Sequence, residues 1–165
     1  MGYSIIEINH MTQPAFVQVF GSVFENTPSI AAQTWHHRPF LDLASLHQAM
    51  VTLVEQMPED EQLTLIRAHP DLGSRVQMAP VSVQEQTSVG LDRLSPAEYG
   101  QFQQLNATYQ TKFGFPFIMA VKGQTKAAIL IAFAKRLNHT TVREKQQAIL
   151  EIEKIARLRL EDLLH

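Results

Sequence analysis

Four short stretches of the 165-residue chain combine residue types that can do chemistry. In "RAHPDLGSR", residues 67–75, His69 stands beside Pro70 and Asp71 where a helical pattern stops. Imidazole is the usual side chain for moving protons near neutral pH. A helix C-terminus favours its charged form. The structural alternative is that His69 only caps the last carbonyls of that helix. In "SVQEQ", Ser82, Glu85 and Gln86 put a hydroxyl, a carboxylate and an amide on one short segment. Ser82 and Glu85 also have the three-residue spacing of a capping box. On spacing alone both readings stand.

The third stretch is "KFGFPFIMAVKG", residues 112–123. Its glycines, its proline and its three phenylalanines break the helical pattern around Phe117, Ile118 and Met119. An irregular backbone in apolar surroundings carries N–H and C=O groups that need partners. A small polar ligand would supply them if the segment walls a site; aromatic core packing is the alternative. The fourth is "EIEKIARLRLEDLL", residues 151–164. Ile149, Ile152, Ala156, Leu160 and Leu163 form the apolar stripe of a last helix. Arg159 falls inside that stripe, whereas Arg157 lies roughly 120° from its centre. A cation on the buried side needs an anion. An internal salt bridge, or a stem snorkelling to water, meets that need. So does a fork that grips a substrate carboxylate or carbonyl.

The elements that must position these residues read as helices. Phe16, Phe20, Val23 and Phe24 recur at helical spacing after Thr12. Thr27 and Pro28 look like a cap and first helical residue, and Pro39 closes that segment. Leu46, Met50, Leu53 and Met57 make one stripe. Pro58 opens an acidic-headed helix that delivers His69, and Pro70 ends it. Gly90 suits the end of a short helix over "SVQEQTSVG". Ser95 with Glu98, and Thr141 with Glu144, have capping-box spacing, and Thr125 caps the helix between them. Tyr99, Phe102, Asn106, Tyr109 and Phe113 share one helix side. Only "FPFIMAV" could be extended. The fold class expected is all-α, a single domain over residues 1–165 with about seven to nine helices.

Composition bounds the function. Hydrophobic residues make up 45%, enough for an ordinary core. A net charge of −2 with mixed signs argues against a nucleic-acid partner. The absence of cysteine removes disulfides, thiol catalysis and thiolate metal sites. No apolar stretch approaches a membrane span, and no secretory leader is visible, so a cytoplasmic protein is expected. There is no HExxH, GxGxxG, P-loop or GxSxG motif. His36 and His37 point to different helix faces and make a poor chelate. Any chemistry is therefore expected to run without metal or nucleotide.

Taken together, "AHPDLG" at 68–73, "SVQEQTSVGLD" at 82–92, "FGFPFIMAVKG" at 113–123 and "EIEKIARLRLEDLL" at 151–164 form a specific set. In order and distance they resemble the 2-oxo-4-hydroxy-4-carboxy-5-ureidoimidazoline (OHCU) decarboxylase family, over essentially the whole chain. The resemblance implies an all-α, cofactor-free carboxy-lyase, often a homodimer. It would convert the small molecule OHCU to (S)-allantoin and CO2, the last step of urate degradation. It also implies catalytic roles for His69, Glu85 and Arg159. Pro70, Ser82, Gln86 and the backbone of Phe117, Ile118 and Met119 would line the substrate pocket. Val89 departs from the small residue usual there and is expected to narrow that spot. Two other classes compete with an enzyme. A helical adaptor would use the Phe-rich segment as a groove, and a DNA-binding regulator would need a basic face that is missing.

Overall fold

Side-chain caps set where most helices begin. A computed structural model describes residues 2–165. Ser4 and Glu7 cap each other's backbone reciprocally to open α1 (Ile5–His10). Thr12 caps α2 (Gln13–Phe20), and Asp42 with Ser45 boxes the start of α4 (Leu43–Glu55). Between them run α3 (Ser29–Thr34) and a 3-10 turn, Trp35–His37. The remaining helices are α5 (Glu59–Arg67), α6 (Pro80–Ser88), α7 (Pro96–Phe113), α8 (Lys126–Arg136) and α9 (Thr141–Leu163). Among the described residues the one β contact is an isolated parallel bridge between Tyr3 and Leu164. The chain is all-α, and "FPFIMAV" is irregular rather than a strand.

Several local expectations hold. Ser95 and Glu98 form the capping box of α7 with Pro96 at its first position, and Thr125 caps α8. Others need correction. α1 was not expected, because six residues carry too little periodicity to signal a helix. Thr27 does not cap α3; its hydroxyl donates to the Glu25 carbonyl. The buried stripe of α4 is Leu46, Met50 and Val54 with Val51, not one running through Leu53 to Met57. Thr141 and Glu144 do not form a box. Thr140 accepts the Arg143 N–H instead, and Glu144 is turned into the core.

Two compact units divide the chain: residues up to Leu65 with Glu153–His165, and Ile66–Ile152. The first packs Ile8, Phe16, Phe20, Ile30, Leu46 and Met50, each essentially fully buried. Phe16 lies 4.7 Å from Phe20 and 6.2 Å from Phe40 between ring centres. Arg38 ties its loops together, donating to the carbonyls of Asn9, Met11 and Trp35. The second unit is built on aromatic rings. Phe117 stacks on Phe133 at 3.7 Å, and Tyr109 meets Phe113, Phe115, Phe117 and Phe133. Each such ring removes a large apolar area from water, worth about 1.5–3 kcal/mol when fully buried.

Candidate active site

The segment that carries His69 is fastened from two helices. α5 stops at Arg67, but the His69 N–H still reaches the Ile66 carbonyl at 3.2 Å. Pro70 then prevents another turn. The His69 side chain is buried. Beyond it, Gln110 donates to Asp71 Oδ1 at 2.7 Å and Asn106 donates to the Leu72 carbonyl at 2.9 Å, both from α7. From α6, Gln86 Oε1 accepts the Gly73 N–H at 2.9 Å.

Glycine at position 73 is favoured by its backbone conformation, and a side chain there would also displace a leucine methyl. The Gly73 φ is +70°, and a Cβ there would lie 2.8 Å from Leu94 Cδ1. Gly73→Ala is therefore expected to cost about 1–3 kcal/mol, read as a lower thermal midpoint. An unchanged midpoint would show that the loop adapts without strain.

α6 begins at Pro80 behind Ala79, so Ser82 and Glu85 are inside the helix and cannot be its capping box. That removes the capping-box reading for this pair. Ser82 and Gln86 are buried and Glu85 half-buried. Spacings of three and four residues put all three on one helix side. The amide of Gln86 is largely committed to the histidine loop, with Nε2 also 3.6 Å from Met78 Sδ. Val89 sits at the C-cap of α6, its N–H on the carbonyls of Gln86 and Thr87, and Gly90 follows at φ +81°.

The phenylalanine segment is held by a buried charged cluster that sequence reasoning missed. The Arg136 guanidinium lies 2.8 Å from Glu144 Oε2, donates to the Ile118 carbonyl, and covers the Phe117 ring at 4.3 Å. Tyr109 donates its hydroxyl to Glu144, and His139 Nδ1 lies 2.8 Å from it. The available signal was a basic residue in the last turn of an apolar helix, which normally reads as a cap.

Burial would raise the Glu144 carboxyl, but hydrogen bonds from Arg136, Tyr109 and His139 outweigh it and hold the pKa below the ordinary value. The same burial raises the Tyr109 hydroxyl. A depressed carboxyl stabilises the fold above its unfolded value of about 4.3. That contribution is lost as pH falls through the lower folded value. Glu144→Gln is thus expected to lower stability at pH 7 by about 3–5 kcal/mol. It should also flatten the acid limb of a stability-versus-pH curve. An acid limb as steep as that of the wild type would assign the titration elsewhere.

In the other unit, α9 carries Arg159 on its buried side, as its place in the stripe implied, while Arg157 faces outward to Glu161. Arg159 Nη2 lies 3.2 Å from Glu25 Oε2, and Nη1 is 3.2 Å from the carbonyls of Ser22 and Val23. The anion demanded by this buried cation is therefore at least partly Glu25, in the turn after α2. His69, Pro70, Ser82, Glu85, Gln86 and Phe117–Met119 all belong to the unit Ile66–Ile152. Among the described residues no three His, Asp or Glu side chains are grouped to hold a metal, and no helix is long and apolar enough to cross a membrane.

Fold and site together define an all-α protein with polar side chains buried at helix ends and on helix faces. The OHCU decarboxylase family model matches residues 9–161. A 2-oxo-4-hydroxy-4-carboxy-5-ureidoimidazoline decarboxylase of Halalkalicoccus jeotgali is 46% identical over 97% of this chain and 91% of its own length. One of Haloferax volcanii is 42% identical over 93% and 92%. A crystal structure of an (S)-allantoin synthase superposes with a TM-score of 0.78 at 26% identity. It covers 98% of this chain, which spans about half (54%) of that one. The chain belongs to the OHCU decarboxylase family.

Proposed function

We propose that this protein is a carboxy-lyase that converts OHCU to (S)-allantoin and CO2, closing the degradation of urate. Membership of the family, with matching sequence from residue 9 to residue 161, carries this reading. Loss of CO2 leaves an electron pair on carbon, so the barrier depends on where that charge is held. The ring of OHCU can delocalise it. The protein's task is then orientation and electrostatic stabilisation.

Within this proposal Arg159 and the backbone at Ile118 and Met119 hold the ring oxygens. His69 and Glu85 grip the hydroxyl and ureido groups, with Pro70, Ser82, Gln86 and Phe117 shaping the pocket. An apolar setting for the carboxylate favours release of neutral CO2. His69 then handles the proton delivered to one face of the carbanion. The buried positions of His69, Ser82 and Arg159, and the aromatic surroundings of Phe117, support these roles. The working unit in this reading is a homodimer, which light scattering would register at twice the 18.7 kDa chain mass.

The test follows optical rotation while urate is oxidised and its hydroxyisourate product hydrolysed in the presence of the protein. Rapid appearance of one enantiomer is expected. Racemic allantoin at the spontaneous rate would sink the assignment.

A further inference from the structure

The Phe117–Met119 backbone can act on a ligand only if its peptide planes are fixed, and one buried side chain does the fixing. Arg136 turns one edge of its guanidinium to Glu144, with Nε 3.0 Å and Nη2 2.8 Å from Oε2. Its Nη1 donates to the Ile118 carbonyl, and its plane lies against Phe117. Ring and carbonyl of neighbouring residues are thus held by the same group. Arg136 is 6% exposed and Glu144 is fully buried. A buried ion pair is a poor way to gain stability, since well-packed apolar residues often do as well. What it supplies here is geometry.

That geometry has a direction. The one cis peptide bond among the described residues is Arg38–Pro39, so the bond between Ile118 and Met119 is trans. In a trans peptide the N–H points opposite to the C=O. With the Ile118 carbonyl drawn onto Arg136, the Met119 N–H must face away from the charged cluster. Met119 is also where the segment emerges from full burial, being half-exposed while Phe117 and Ile118 are buried.

We propose that Arg136 and Glu144 are positioning residues, whose buried ion pair locks the Ile118–Met119 peptide so that the Met119 N–H is presented to the substrate oxygen that gains negative charge. This inference rests on the reading that the Phe117–Met119 backbone touches the substrate. Lysine cannot replace Arg136, because an ammonium lacks the planar fork that reaches Glu144 and Ile118 together.

The experiment has two parts. Isotope-labelled wild-type protein is titrated with (S)-allantoin, and the Met119 amide resonance is expected to move. Saturable allantoin binding with an unmoved Met119 amide would overturn the contact itself, and this inference with it. Separately, Arg136→Lys is compared with a destabilised core variant, Phe16→Leu, well below both thermal midpoints. A misaimed oxyanion donor is expected to lower kcat about tenfold or more with KM nearly unchanged. Phe16→Leu should keep its kcat. Glu144→Gln, which unmoors Arg136 without removing it, should repeat the kcat loss and serves if Arg136→Lys does not fold. Wild-type kcat in either folded variant, with the Met119 amide still responding to allantoin, would leave the contact standing and overturn the positioning role alone.

Discussion

Replacing His69 by alanine is expected to yield a folded protein that produces allantoin slowly and nearly as a racemate. A positioned acid–base group contributes about 10²–10⁴-fold to rate. The same group chooses the face on which the carbanion is protonated, so rate and stereochemistry should fall together. The loop supports a clean experiment. It is held by Asn106 on the Leu72 carbonyl, by Gln86 on the Gly73 N–H and by Gln110 on the Asp71 side chain. Pro70 fixes where the chain leaves α5 whatever side chain precedes it. Alanine should therefore remove chemistry without unravelling the segment, and the circular dichroism of the folded protein checks this. Chiral analysis of the product decides the role. Full rate with full (S) excess would reduce His69 to the helix-end residue that its spacing alone allowed.

How much of this could be read from residues depends on the range of the interactions. Caps are local, so Ser95 with Glu98 and Thr125 were legible as helix starts. Glu144 has the same local pattern behind Thr141, yet its carboxylate left the helix end for Arg136, Tyr109 and His139. A tertiary partner outbid the cap, and no local pattern records that. Ser82 and Glu85 misled in the same way, because Pro80 starts α6 three residues earlier than the capping spacing suggests. On the last helix, periodicity placed Arg159 inside and Arg157 outside, and both positions are as expected. Its partner Glu25 was invisible, since it sits in an irregular turn far away in sequence. The four motif blocks identified the candidate residues. The scaffold that aims them, namely Asn106, Gln110, Arg136 and Glu144, carries no motif and emerged only from packing.

Arg159→Lys is expected to remain folded and to lose most of its activity. Choosing the right substitution matters because the arginine is buried beside Glu25. Removing the cation altogether would strand that carboxylate, at a cost of about 3–5 kcal/mol. Any loss of activity could then be a loss of fold. Lysine keeps the positive charge near Glu25 and the carbonyls of Ser22 and Val23, which need only a donor and a charge. It gives up the planar fork, which is what a bidentate hold on a substrate oxygen pair requires. The two roles therefore separate. If Arg159 only neutralises Glu25, the lysine variant keeps near-normal kcat/KM with a modestly lower thermal midpoint. If it also orients OHCU, kcat/KM falls about 10²-fold, the scale expected when a reacting group is misplaced by an ångström. A Glu25→Gln variant sharpens the contrast, because it weakens the same ion pair from the other side and leaves the fork intact. Orientation by Arg159 requires that this variant stay far more active than Arg159→Lys at equal stability. Equal losses in the two would make the ion pair itself, and not the fork, the source of the effect.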